Sequence, residues 1–137
     1  MTLIFKQTAK QVSENVKSSM TKTHKDLEVW KQSISFVTDI YKITGNFPKE
    51  EIYGITSQIR RAAVSIPSNI AEGAGRNHDK EYLQFLSIAL GSTSELETQI
   101  IISNNINYIN TEQMNTILDK LNNIRKMIVG LKKSLNH

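Results

Sequence analysis

The sequence predicts an all-α protein, an up-down-up-down four-helix bundle. Three observations carry that expectation. Apolar residues recur at alternating steps of three and four along four successive segments. Turn signals separate those segments by short connections, and no stretch of useful length alternates apolar and polar residues as a strand does. At 137 residues the chain is one domain by length, large enough to bury a core without staples.

The first helix is expected over residues 24–44. Leu27, Trp30, Ile34, Val37 and Tyr41 form a narrow seam along it. Gly45 is placed to end it in a left-handed cap, and Phe47-Pro48 starts the next element. The second helix begins at Pro48, with Glu50 and Glu51 in a first turn where the helix dipole favours acids. Its seam reads Ile52, Ile55, Ile59, Ala62, Ala63, Ile66 and Ile70, and it fades at Gly73 and Gly75.

The third helix opens near Asn77 as N-cap, with Asp79 and Glu81 close behind. Tyr82, Leu86, Ala89, Thr93, Leu96 and Ile100 form its seam, and the polar stretches 103–105 and 107–110 mark the following turn. The fourth helix starts at Asn110, where Gln113 three residues later suits a capping box. Met114, Ile117, Leu121, Ile124, Ile128, Leu131 and Leu135 hold the rhythm for three full heptads.

Residues 24–137 are thus assigned to the bundle, and residues 1–23 precede it as a basic extension. Phe5, Ala9, Val12, Val16 and Met20 fall on one weak stripe, so the extension reads either as a helix or as a disordered, partner-dependent arm. Met20 offers a second possible translation start. The extension also accounts for most of the net charge. Lys6, Lys10, Lys17 and Lys22 against Glu14 give residues 1–24 a balance of +3 out of the total of +4. The body is close to neutral, which argues against a surface that grips polyanions everywhere.

The chain has no cysteine, which excludes disulfides and thiolate metal sites and fits a reducing cytoplasm. No apolar run reaches the length of a membrane span or of a secretory signal. His24, His78 and His137 are scattered, and no Glu-x-x-His pair, phosphate-binding loop or nucleophile elbow is present. A helical nuclease whose Arg and His are separated by four to six residues is also disfavoured, since only Asn77 separates Arg76 from His78.

Within the second helix, Pro67 has no N–H for the carbonyl of Ala63, a bend costing up to about 3 kcal/mol unless the freed groups find partners. Ser65, Ser68 and Asn69 are placed to supply them. The bend either wraps the helix around the bundle or presents Ser68, Asn69 and Glu72 to a ligand or subunit. Arg60 and Arg61 point about 100° apart. The one nearer the seam is expected to need a carboxylate, with Glu72, Glu95 and Glu97 as candidates. Intersubunit pairing or phosphate binding is the alternative use of these arginines. Ala62, Ala63, Ala71, Gly73, Ala74 and Gly75, with Gly91-Ser92 on the third helix, permit close backbone approach. On the fourth helix, Arg125 and Lys132 are seven apart, as are Lys126 and Lys133, and Lys120 adds a fifth charge. That basic patch reads as a solvated face or as a row of phosphate contacts.

DLEVW at 26–30, QIRRAAVSIPSNIAEGAGR at 58–76 and EYLQFLSIALGSTSELETQI at 81–100 together resemble a known family. It is the four-helix-bundle family named for proteins encoded in intervening sequences of bacterial large-subunit (23S) ribosomal RNA genes. The resemblance covers about residues 24–133; the leader departs from the family's usual short start. It implies an up-down-up-down bundle, often a homopentameric barrel with a central channel, and no catalytic activity. Some relatives resemble accessory proteins of diversity-generating retroelements, which bind nucleic acid and associate with a reverse transcriptase. Arg60, Arg61, Asn69, Glu72 and Arg76 match the family signature.

The resulting expectation is a non-enzymatic, homo-oligomeric cytoplasmic protein that contacts RNA, DNA or a nucleoprotein partner. Lys120, Arg125, Lys126, Lys132 and Lys133 are the expected phosphate contacts. Arg60, Arg61, Pro67, Asn69, Glu72, Arg76 and Glu95 are assigned to structure or assembly. No metal or cofactor is expected. A protein-binding scaffold, for example one accessory to a reverse transcriptase, is the rival.

Overall fold

The computed structural model describes residues 23–136, so the readings of the leader lie outside the described residues. A 3-10 turn at His24–Asp26 leads into α1 (Glu28–Thr44), and a second at Lys49–Glu51 precedes α2 (Ile55–Ala74). Two longer helices follow, α3 (Asp79–Asn105) and α4 (Thr111–Leu135). Each helix packs on its neighbour in sequence and α4 closes against α1, which makes a four-helix bundle. Among the described residues there is no strand, and no helix is long and apolar enough to cross a membrane.

The core is a column of branched aliphatic side chains. Ile40 of α1, Ile59, Ile66 and Ile70 of α2, Leu86, Leu96 and Ile100 of α3, and Leu121, Ile124 and Ile128 of α4 are all fully buried. The seams expected for α2, α3 and α4 supply nearly all of it. Packing is most extensive between α2 and α3, where Ala62 and Ala63 on one helix and Ala89 and Ser92 on the other keep the contact surfaces small. Gly73 completes that contact. A Cβ there would lie 2.9 Å from both Phe85 Cβ and Tyr82 Cδ1.

On α1 the buried stripe differs from the expected seam. Val29, Ser33, Phe36, Ile40 and Thr44 face inward, whereas Ile34 is 42% exposed and Tyr41 44%. The helix carries two stripes roughly 100° apart; on the second, Leu27, Trp30 and Val37 are half-buried against the core and only Ile34 and Tyr41 stand exposed. Two inward positions are hydroxyls that satisfy themselves locally. Ser33 Oγ donates to the Val29 carbonyl at 2.7 Å and Thr44 Oγ1 to the Ile40 carbonyl at 2.7 Å. That self-satisfaction removes most of the cost of burying a polar group.

Element boundaries shift for local reasons. Pro48 opens a 3-10 turn instead of α2, Ile52 is exposed, and Gly54 stands at the N-cap of α2. Gly45 stays right-handed at φ −61°, and the chain leaves α1 through Asn46 N–H to Ile43 O and Phe47 N–H to Thr44 O. The N-cap of α3 is His78, one residue past Asn77, and it makes no side-chain cap bond. Residues 103–105 remain helical, and the buried Ser103 hydroxyl is satisfied by bonding back to Gln99 O at 2.8 Å. The true break is Asn107, whose φ of 67° lies in the left-handed region that asparagine tolerates. The α4 start is as expected: Gln113 N–H donates to Asn110 Oδ1 at 2.7 Å, and Asn110 N–H to Gln113 Oε1 at 2.9 Å.

Candidate functional site

The segment 58–76 forms most of α2. Pro67 is buried inside the helix. Beside it, Asn69 Nδ2 donates to Ser65 O at 2.8 Å and to Ser65 Oγ at 2.9 Å, and Ser65 Oγ meets Ser92 Oγ of α3 at 2.8 Å. Asn69 and Ser65 are thus consumed in a polar stitch between α2 and α3, at the point where proline interrupts the backbone ladder. Asn69 faces the bundle; Ser68 and Glu72 are exposed.

The two arginines diverge, though neither takes a carboxylate among the described residues. Arg60 is half-buried. Its Nε donates to Thr44 Oγ1 at 2.9 Å, its Nη2 to Tyr41 O at 3.4 Å, and its guanidinium sits 4.5 Å from the Tyr41 ring centroid. A hydroxyl, a carbonyl and a π face replace the expected carboxylate. The side chain is partly solvated, so full charge compensation is unnecessary. Arg61 is exposed on the outer crest of α2. Glu95 accepts the Gln99 amide at 3.2 Å. Glu72 pairs with Arg76 at 2.8 Å, and Arg76 lies 4.9 Å from the Phe85 ring centroid.

The five cations of α4 do not form one patch. Lys120 pairs with Asp39 of α1 at 2.8 Å. Arg125 turns the other way, to Glu97 at 3.2 Å and Thr93 Oγ1 at 3.3 Å on α3, and to Asn122 at 3.1 Å. Lys132 donates to Ser87 Oγ of α3 at 2.9 Å. Lys126 and Lys133 are exposed, as is Lys120, but among the described residues only Lys126 and Lys133 of the five have neither an ion pair nor a hydrogen bond. They lie seven residues apart, so their stems emerge about 10 Å apart along the helix. Spacing alone could not separate these roles, because Lys120 and Lys132 flank the seam on opposite sides.

The surface feature that the heptad reading missed is apolar. Ile34 and Tyr41 of α1, Ile52 and Val64 are exposed, and Tyr41, Ile52 and Val64 line one groove of about 510 Å³ bordered by Arg60 and Arg61. Ile88, 52% exposed, and Ile102 stand on the outer face of α3. The signal was present: a helix with apolar residues on more than one face wants more than one partner. Catalytic geometry is another matter. Among the described residues no three His, Asp or Glu side chains converge as metal ligands. His24 packs edge-on to Trp30 at 5.1 Å, and His78 sits exposed at the α3 N-cap.

These features place the chain among small four-helix bundles with exposed apolar faces. The chain belongs to the 23S rRNA-intervening sequence protein family, whose model matches residues 25–130. It is also similar to a solved structure, a crystal structure at 1.70 Å of a protein of unknown function from the S23 ribosomal protein family of Bacteroides thetaiotaomicron. The two are 27% identical, with a TM-score of 0.69 over 77% of this chain and 98% of that one. No match was found among curated proteins.

Proposed function

We propose that this protein is a non-catalytic scaffold of the cytoplasm that works as a homo-oligomer. The observation that carries the reading is the exposed apolar surface made by Ile34 and Tyr41 of α1 with Ile52 and Val64 on the α2 side. Contiguous apolar surface of this kind is costly to leave in water and marks contact sites. Its position outside a complete core supports a protein contact in place of a folding role. The ring of five implied by the family resemblance is the assembly this reading favours. Sedimentation velocity at micromolar concentration tests it; a single monomeric species would overturn the proposal.

A second reading is favoured by one observation, the outward pair Lys126 and Lys133. Repeated around an oligomer, that pair becomes a ring of cations suited to phosphates of RNA or DNA. Binding should then weaken steeply as salt rises, and Lys126→Glu with Lys133→Glu should flatten the slope. Lys120, Arg125 and Lys132 are engaged within the bundle, so their replacement should alter stability more than the salt slope. Absence of RNA and DNA binding at low salt removes this second reading and leaves the scaffold intact.

A further inference from the structure

We infer that the leader folds back as a helix and lays Phe5, Ala9, Val12, Val16 and Met20 into the α1/α2 groove of its own chain. A second copy would need the same surface, so the docked leader weakens assembly. That consequence rests on the scaffold reading above; the docking itself does not.

The path of the chain points to this groove. The 3-10 turn at His24–Asp26 packs against both α1 and α2, and His24 meets the Trp30 ring edge-on at 5.1 Å. The leader therefore joins the bundle at one end of the groove, on its α2 side. Residues 21–27 then form a connection within the roughly two to eight residues that join antiparallel helices. A helix from Phe5 to Met20 is about 22 Å long. The groove is of similar length: Trp30, Ile34, Val37 and Tyr41 span about 16 Å of α1, and Ile52 extends it.

The groove has the profile of a surface one helix short of cover. Trp30 and Val37 are half-buried, while Ile34, Tyr41, Ile52 and Val64 are exposed. On α2, Arg60, Val64 and Ala71 recur at helical spacing, so one side of that helix forms the second wall. An amphipathic helix laid in an apolar groove buries both stripes at once.

Charge fixes the direction of the leader. Lys6, Lys10 and Lys17 share one flank of its helix, about 80–120° from the apolar stripe, and Thr8, Asn15 and Ser19 share the other. Given the right-handed sense of the helix, a leader antiparallel to α1 turns the neutral flank toward Arg60 and Arg61. Its lysines then lie along the solvent edge of α1, where water screens them from the exposed Lys31 and Lys42. A parallel leader would set three lysines against the two arginines. The short connection requires the antiparallel sense as well.

The full-length chain has no cysteine and a single tryptophan, Trp30, which gives two direct readouts. Val16→Cys with Ile34→Cys should close a disulfide within one chain under mild oxidation. It should form on the order of tenfold faster than Val16→Cys with Gln32→Cys, since Gln32 lies on the α4 side of α1. Equal rates, or disulfide-linked dimers as the main product, would overturn the docking. Val12→Ser with Val16→Ser removes the stripe without changing charge, and should shift Trp30 emission to the red in dilute protein that still melts cooperatively. Unchanged emission would equally overturn it. The same double variant should self-associate about tenfold more tightly, the factor for a leader docked nine-tenths of the time. An oligomeric wild type whose affinity the variant leaves unchanged would overturn the competition. Wild type and variant both monomeric would overturn the scaffold reading instead, with the disulfide and Trp30 deciding the docking alone.

Discussion

The Arg60 guanidinium rests 4.5 Å from the centre of the Tyr41 ring while its Nε donates to Thr44 Oγ1 at 2.9 Å. One side chain thereby binds α2 to the last turn of α1 and uses a hydroxyl that is already donating to Ile40 O. The contact depends on a flat cation with directional donors. Arg60→Ala should lower unfolding free energy by about 1–2 kcal/mol, the sum of a partly solvated cation–π contact and one hydrogen bond. Arg60→Lys should recover little of it, because an ammonium cannot stack on the ring and reach Thr44 together. Urea denaturation of the three proteins gives the ranking. Equal stability of the lysine variant and wild type would show that charge alone matters.

Two glycines in helices should respond in opposite directions to alanine. At Gly73 the new Cβ would lie 2.9 Å from Phe85 Cβ and from Tyr82 Cδ1 and 3.2 Å from Tyr82 O, so α2 and α3 must separate. The cost of such overpacking, about 1–3 kcal/mol, exceeds the helix-propensity gain of about 1 kcal/mol. At Gly130 the Cβ meets nothing within 4 Å, so only the gain remains. Gly73→Ala should melt below wild type and Gly130→Ala above it.

These contrasts show which parts of the molecule were readable from sequence. The seam of α4 was legible because its buried positions are all aliphatic, and that of α2 because most are, Thr56, Pro67 and Gly73 being the exceptions. The α4 start was legible because its signal is local: Asn110 and Gln113 satisfy each other whatever packs nearby. On α1 the reading chose the neighbouring, half-buried stripe, since Ser33 and Thr44 count as polar by type yet are buried with their hydroxyls turned onto their own helix. The roles of the cations were not legible at all. Whether Arg125 or Lys126 is spent inside the chain depends on where Glu97 and Thr93 fall on another helix, which is tertiary information.

Thr56 is a hydroxyl of the opposite kind. It is 2% exposed at the start of α2, and its Oγ1 has no hydrogen-bond partner among the described residues. A buried hydroxyl without a partner retains its desolvation penalty. Thr56→Val keeps the shape and removes that penalty, so it should stabilise by about 1 kcal/mol in chemical denaturation. A destabilised variant would show that the hydroxyl has a partner in solution.

Alkaline pH should loosen the bundle through two tyrosines. Burial pushes the Tyr82 phenol above the ordinary 10.0. Tyr108 is pushed the same way by burial first, then by its hydrogen bond to Glu51 and by the charges of Glu51 and Glu50. Its hydroxyl donates to Glu51 Oε2 at 3.1 Å, fastening the α3–α4 turn to the turn before α2, and only the protonated phenol can donate. Because both folded values lie above the unfolded one, the proton is held more tightly in the folded state. The stabilisation is therefore complete below pH 10 and is lost as pH rises through the folded values. Lysines also discharge in this range, so the informative quantity is a difference between proteins. Across about pH 9 to 11 the wild-type melting temperature should fall more steeply than that of a Tyr82→Phe, Tyr108→Phe double variant. At neutral pH the single Tyr108→Phe change should already cost some stability by releasing Glu51. Parallel curves for wild type and double variant would mean that neither phenol is held more firmly folded than unfolded.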